Sequence, residues 1–205
     1  MPAILAKKLG MTQRFLDDGK VERVTVLEAG PCPVLAVRTE DADGYEAVQL
    51  GFDSVREKAL TKGELGHLKK ADAPPLRTIK EFRDHAGELT IGDTVTVENF
   101  EVGQKVKISG TAKGKGFQGT IKRHNFHAGP KSHGSHNVRA PGSIGASATP
   151  SRVFKGIKGP GRMGGGRVTQ LGLTIVELIP DQNLMLVRGP VPGPKGGTVE
   201  VRTDG

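Results

Sequence analysis

A long internal segment of this chain contains no acidic side chain. Glu101 is followed by no carboxylate until Glu177, so 75 consecutive residues lack one, and the same window holds 13 lysines and arginines. The rest of the chain has 17 basic and 22 acidic side chains, so it is acidic although the whole protein carries a formal charge of +8. A solvated loop has no reason to exclude every acid, whereas a surface lying along phosphates does, because carboxylates would repel the backbone. The window therefore predicts contact with nucleic acid.

The same part of the chain lacks the apolar periodicity that a packed core requires. Residues 111–166 show neither the alternation of a strand nor the 3.6-residue period of a helix for more than a few positions. The chain has 30 glycines and 13 prolines, but they follow no Gly-X-Y period, which excludes collagen. A charged, glycine-rich segment can stay unfolded until a partner supplies its contacts. We expect a long basic extended loop whose tip reaches up to about 90 Å from its ends.

The flanks of this segment have the patterns of β structure. Short β-branched or alternating runs at 24–27, 34–37, 47–50 and 94–97 are bounded by turn residues, and 17–20 is a tight-turn sequence. Residues 59–71 show a weak helical pattern that two prolines end. Beyond the segment, 167–179 and 184–188 form a hairpin pattern, followed by a strand at 198–202. The fold class is mainly β. We predict one sandwich or barrel built from both chain ends, 1–110 and 167–205, with 111–166 inserted between two strands.

Cysteine content and hydropathy indicate the compartment. Cys32 is the only cysteine, which excludes an internal disulfide and a four-cysteine zinc site and favours a reducing environment. No run of 18 apolar residues occurs, and lysines at 7 and 8 come too early for a secretory signal. We expect a cytoplasmic protein with no membrane partner.

One glycine motif requires a choice between two kinds of phosphate contact. Residues 114–119, Gly-Lys-Gly-Phe-Gln-Gly, match the G-x-G-x-x-G pattern of a dinucleotide-binding turn. That turn should open a long amphipathic helix and precede an acid by about 20 residues, and neither feature is present. We interpret the glycines as allowing close approach of backbone to phosphate, beside Lys113 and Lys115, with Phe117 available for packing or stacking on a base.

Four histidines form two H-x-x-H pairs, which raises the alternative of a metal site. The spacing suits a helix, but the glycines and proline between 129 and 134 prevent one, and no acid is near to orient an imidazole ligand. We predict RNA contacts instead and no metal. The candidate RNA-binding residues are Lys113, Lys115, Phe117, Lys122, Arg123, His124, His127, Lys131, His133, His136, Arg139, Arg152, Lys155, Lys158, Arg162 and Arg167.

Catalytic signatures are missing from the sequence. Cys32 lies between two prolines in the acidic part, no Gly-x-Ser-x-Gly elbow occurs, and no stretch has the spacing of a Walker P-loop. We predict that the chain is not an enzyme.

Several motifs, in order along the chain, resemble those of bacterial ribosomal protein L3. They are Lys-Leu-Gly-Met-Thr at 8–12, Lys-Gly-Lys-Gly-Phe-Gln-Gly-Thr-Ile-Lys-Arg at 113–123, and Pro-Gly-Ser-Ile-Gly at 141–145. Further matching pieces lie at 43–45, 153–156, 161–164, 167–169, 183–184 and 187–193, so the resemblance covers essentially the full chain.

The resemblance implies a closed β-barrel body on large-subunit (23S) rRNA and a loop that threads toward the peptidyl transferase centre. It implies a ribosome-bound primary rRNA binder that nucleates subunit assembly, with neighbouring large-subunit proteins as partners, no cofactor and no homo-oligomer. Because the catalytic centre is RNA, the protein would not be the enzyme. The loop tip nearest that RNA would be Gly142, Ser143, Ile144, Gly145, Ala146, Ser147 and Ala148.

Three positions depart from the pattern of some relatives. Many bacterial relatives have Asn-Gln where this chain has Ser147 and Ala148, and that glutamine is a methylation target. Ala148 has no amide, so we expect the modification to be absent here. Arg162 replaces a glutamine of some relatives, which adds one cation.

The competing function is that of a free regulator or RNA chaperone that grips RNA reversibly through the same loop. Such binders usually carry a folded recognition surface such as an RRM, and the consecutive aromatics of that surface are missing here. Sedimentation with large subunits or in free fractions distinguishes the two functions.

Overall fold

Six antiparallel strands close into a barrel in this computed structural model, which describes residues 2–15, 19–83 and 89–204. They are β1 (Ala3–Phe15), β2 (Val21–Ala29), β7 (Lys105–Thr111), β10 (Arg167–Ile179), β11 (Leu184–Arg188) and β12 (Thr198–Thr203). Their order around the barrel is β1-β12-β7-β10-β11-β2. The predicted mainly β fold with a closed barrel built from both chain ends is confirmed. Two residues of the predicted turn at 17–20, 17 and 18, lie outside the described residues.

Alternation of apolar and polar residues explains why these strands close on one another. In β12 every second residue points inward, and Val201 pairs with Ile4 of β1 on one side and with Ile108 of β7 on the other. Burying each such side chain stabilises the fold by about 1.5–3 kcal/mol. The fully buried residues of the barrel include Ile4, Leu5, Leu27, Val106, Ile108, Met185, Val187 and Val201.

A separate four-stranded sheet takes up most of the chain between β2 and β7. Its order is β5-β4-β3-β6, from β3 (Cys32–Arg38), β4 (Ala47–Ser54), β5 (Leu76–Arg83) and β6 (Thr94–Val95). The predicted strands at 34–37 and 47–50 therefore exist but belong to this sheet and not to the barrel. The predicted strand at 94–97 is two residues long, because a 3₁₀ turn begins at Val97. The sequence patterns missed β5.

Apolar side chains pack on both faces of this sheet. Val34, Val48 and Phe82 belong to the same apolar cluster as the barrel core, whereas Leu35 and Leu76 pack with Leu68 of a helix. That helix is α2 (Lys62–Lys70), which follows the four-residue α1 (Glu40–Asp43). A capping box begins α2: the Thr61 hydroxyl accepts from the Glu64 N–H at 3.3 Å, and the Thr61 N–H donates to the Glu64 carboxylate at 2.8 Å.

The chain divides into two compact units, Met1–Ala112 with Arg167–Gly205, and Lys113–Gly166. The smaller unit contains β8 (Phe117–Gln118), α3 (Thr120–His124) and β9 (Gly161–Arg162). The sequence shows no period between 111 and 166 for more than a few residues, and the elements found there are two to five residues long. They escaped notice because two-residue strands and a single helical turn are too short to show a period. Thr111 is the last residue of β7.

No helix among the described residues is long and apolar enough to cross a membrane.

Candidate nucleic-acid interface

The two ends of the smaller unit are joined by backbone hydrogen bonds. Phe117 pairs with Arg162 and Gln118 with Gly161 across β8 and β9. The ladder continues beyond them, because the Lys115 N–H donates to the Met163 carbonyl and the Met163 N–H donates to the Gly116 carbonyl, both at 2.9 Å. A Cβ atom at position 164 would overlap the Lys113 carbonyl, and Gly164 has a φ of 69°, so this position requires glycine. We call residues 113–118 and 161–164 the neck.

A second contact holds α3 against the returning chain. The Arg123 guanidinium Nη1 donates to the Gly159 carbonyl at 2.8 Å, and Nε2 of His124 lies 3.1 Å from the same oxygen. The guanidinium fills the space beside Gly161, where an added Cβ would lie 2.8 Å from Nη1. Two side chains of α3 thus converge on one carbonyl, and we call this contact the clamp.

The middle of the unit has one further backbone contact. The Gly129 N–H donates to the Val138 carbonyl at 3.0 Å, and a Cβ at 129 would overlap the Asn137 carbonyl. This contact closes a loop whose predicted RNA-binding side chains are exposed: Lys131, His133 and His136.

The predicted loop tip, residues 142–148, is exposed at every position. The Ser143 hydroxyl donates to the Gly145 carbonyl at 3.1 Å, and the Ser151 hydroxyl donates to the Ala148 carbonyl. Residues 142–147 and 151–153 line a shallow groove of about 470 Å³. The small side chains leave much of the backbone accessible along this groove.

The charge of the smaller unit is positive without internal compensation. It contains ten lysines and arginines and no acid. Nine of the ten are exposed and make no ion pair with any residue in the described ranges. They are Lys113, Lys115, Lys122, Lys131, Arg139, Arg152, Lys155, Lys158 and Arg162. The tenth, Arg123, is half-buried in the clamp.

The remaining predicted site residues have different surroundings. Arg167 is the first residue of β10, in the larger unit, and its guanidinium pairs with the Glu200 carboxylate. His124 is half-buried and its ring centroid lies 6.2 Å from that of Phe126, whereas His127 is exposed. Within the ranges that the structure describes, no three His, Cys, Asp or Glu side chains are arranged to hold a metal ion.

Exposed apolar side chains accompany the cations, and most of them were missed by sequence reasoning. Phe117 is 75% exposed and Phe154 57%, and Ile144, Val153 and Ile157 are also exposed. Only Phe117 and Ile144 were among the predicted site residues. These exposed residues could have been found from the sequence, because an apolar residue in a segment without periodicity has no core in which to be buried. Residues 152–155 line a second groove of about 490 Å³ that includes Phe154.

Comparison with known protein families shows to which family the chain belongs. The family described as ribosomal protein L3 matches residues 75–183, which is more than half of the sequence. The chain belongs to the ribosomal protein L3 family. The matched region contains β5, β7, the whole smaller unit and β10, so it includes every candidate RNA-binding residue and the tip. The resemblance inferred from the motifs is thereby confirmed, and L3 proteins are structural constituents of the large ribosomal subunit.

Proposed function

We propose that this L3 protein binds large-subunit rRNA directly through residues 113–166, nucleates folding of that RNA during assembly, and presents residues 142–148 toward the peptidyl transferase centre. In this role the chain supplies contacts and geometry, while the RNA carries out the chemistry. Its partners are the rRNA and neighbouring proteins of the large subunit, and its location is the ribosome in the cytoplasm.

One observation carries the proposal: nine exposed cations lie in a unit that has no acid. Like charges in one compact unit repel each other, so the unit is stabilised by polyanion binding and not by its own ion pairs. Lysines and arginines bind phosphates and release condensed counterions from nucleic acid. The exposed phenylalanines and histidines add side chains that can stack on unpaired bases, which is how RNA is commonly recognised.

The small residues of the tip support its placement against folded RNA. Glycine and alanine at 142, 145, 146 and 148 leave the backbone accessible, so a nucleotide can approach closely. Ala148 offers no side-chain amide, so this tip contacts its RNA without a modified glutamine. A large side chain introduced here would have to displace nucleotides, because interiors packed to normal density have no spare volume.

Incorporation into ribosomes tests the assembly role. The variant with Lys131, Lys155 and Lys158 replaced by alanine should be depleted from large subunits when it competes with the wild-type chain, as measured by sedimentation and mass spectrometry. The matched control replaces Lys58, Lys62 and Lys69, three exposed lysines of the larger unit, and should enter subunits normally. Equal incorporation of both variants would contradict a dominant role of residues 113–166.

Substitutions at the tip test its position. Ala148→Glu and Ser147→Trp should leave the melting temperature of the free protein unchanged, because both residues are exposed. In purified subunits they should alter peptide-bond formation or its sensitivity to inhibitors of that centre. Ala59→Glu, at an exposed alanine of the larger unit, is the control. Wild-type activity and inhibitor sensitivity in subunits containing the tip variants would place the tip elsewhere.

A further inference from the structure

Phe117 and Arg162 are directly opposed across the two short strands of the neck. Opposed residues of an antiparallel pair have Cβ atoms about 4.5–5.5 Å apart, on the same face of the ladder. Both side chains therefore start from neighbouring points on one face, although the two residues are 45 positions apart in the sequence. Both side chains are open to solvent: Phe117 is 75% exposed, and Arg162 is exposed and forms no ion pair with a described residue.

The two faces of this ladder differ in burial. Gln118, Gly161 and Met163 are half-buried, and the Gln118 amide bonds to the Lys115 carbonyl. Phe117 and Arg162, on the opposite face, are open to solvent. The inner face carries Gln118, Gly161 and Met163, whereas the phenylalanine points outward, which reverses the usual arrangement, in which the aromatic residue is buried. The outward position of the ring thus has no role in packing the unit.

The face is also fixed by the protein itself. The Lys115 and Met163 backbone bonds extend the ladder on one side, and the clamp from Arg123 and His124 to Gly159 holds it on the other. A binding partner therefore meets an aromatic and a basic residue held at opposed backbone positions, which lowers the entropy cost of binding.

We propose that Phe117 and Arg162 form a binding site for one unpaired nucleotide, whose base stacks on the Phe117 ring while its phosphate pairs with Arg162. The inference rests on the proposed function, because the nucleotide is part of the rRNA that residues 113–166 bind. The surface of residues 113–166 otherwise acts through charge. This site adds recognition of single-stranded RNA by base stacking. Every base has a π-face, so the site accepts any base.

Charge complementarity identifies the occupant as nucleic acid. The exposed cations Lys113 and Lys115 precede Phe117 in the neck, and the whole unit has no acid that could attract a basic partner. A free phosphate would pair with Arg162 but make no contact with the Phe117 ring. An apolar protein segment would pack on the ring but leave the cations without a partner. A nucleotide uses both, because it carries a flat base and a charged phosphate within the span of the two side chains.

Binding of the full-length chain to transcribed large-subunit rRNA, measured by filter binding over a range of salt concentrations, tests the site. Phe117→Ala should weaken binding about 5- to 150-fold, the range that corresponds to about 1–3 kcal/mol for loss of one base stack. Because stacking is uncharged, this loss should be the same at every salt concentration. Arg162→Ala should instead lower the salt slope by about 0.7–0.9.

Conservative variants separate stacking from simple packing. Phe117→Tyr and Phe117→Trp should retain wild-type affinity, whereas Phe117→Leu, which keeps apolar bulk without a π-face, should bind as weakly as Phe117→Ala. Ultraviolet crosslinking of the wild-type complex should join Phe117 to a single nucleotide that is unpaired in the RNA.

Each contrary outcome has a distinct meaning. If Phe117→Leu binds like wild type while Phe117→Ala is weak, the ring only packs and the site is refuted. If Phe117→Ala binds like wild type while the lysine variants are weak, the site is refuted and rRNA binding stands. If the wild-type chain itself fails to bind this RNA above its affinity for an unrelated transcript, the proposed function is wrong. Crosslinking of Phe117 to a protein neighbour in subunits would also refute the site.

Discussion

The clamp gives a sharp prediction about how the smaller unit is held together. Replacing Arg123 with alanine removes a charged hydrogen bond of 2.8 Å to the Gly159 carbonyl. Hydrogen bonds to charged groups contribute about 1.5–3 kcal/mol net, and the half-exposed position places this one at the lower end. A loss of about 1.4 kcal/mol makes local opening about tenfold more frequent.

Native-state amide hydrogen exchange measures this opening at the neck. The Lys115 and Met163 N–H groups both donate within the ladder, so their exchange reports on its integrity. Arg123→Ala should accelerate both about tenfold, and His124→Ala should accelerate them less, because Nε2 of His124 lies farther from the Gly159 oxygen, at 3.1 Å.

Lys122 provides the matched control, since it is the adjacent residue, carries the same charge and is exposed without an ion pair to a described residue. Lys122→Ala should leave the exchange of both amides unchanged within about twofold. Equal acceleration by Lys122→Ala and Arg123→Ala would mean that charge, not the bond to Gly159, controls the neck. No acceleration by Arg123→Ala would refute the clamp.

Three further predictions concern packing, ionisation and accessibility. Gly51→Ala should destabilise the protein by about 1–3 kcal/mol in urea unfolding, because the added Cβ would overlap Leu76 and approach Leu35 to 3.1 Å; an unchanged midpoint would contradict that packing. Burial raises the pKa of the Cys32 thiol from 9.0 to about 12, so iodoacetamide at pH 8 should label only unfolded protein. Because the folded state holds this proton more tightly than the unfolded state, the free energy of unfolding should fall as pH rises from 9 toward 12. Limited trypsin digestion of the free chain should cut after Lys131, Arg139, Arg152, Lys155 and Lys158 before it cuts in the neck, and uniform cleavage would contradict this order.

The strands of the barrel could be predicted because their local pattern agrees with their final environment. Residues 167–179 and 184–188 are apolar and β-branched, and they pair as a hairpin as expected. The strands at 34–37 and 47–50 have the same pattern but belong to a different sheet. Which sheet a strand joins is decided by contacts between distant residues, such as Ile4 with Val201, and a local pattern contains no information on that choice.

The candidate site was predictable in charge but not in geometry. The absence of acids from 102 to 176 marked the segment, and it is visible in composition alone. The clamp joins residues 36 positions apart, and the neck pairs two-residue strands, so neither produces a periodic pattern in the sequence. For the same reason Arg123 and His124 were grouped with the exposed RNA candidates, although the structure gives both a partner within the chain. Their contact with RNA stays a prediction.

The salt dependence of rRNA binding tests the central claim most directly. Each phosphate contact contributes about −0.7 to −0.9 to the slope of log K against log salt. The steepest slope that the nine exposed cations can produce is therefore about −6 to −8. The measurement is an equilibrium titration of the full-length chain with transcribed large-subunit rRNA at several monovalent salt concentrations. We expect a slope between about −4 and −8, with at least half of the nine cations meeting phosphates. A slope near −1 would contradict the account, because almost none of these cations would then contact RNA.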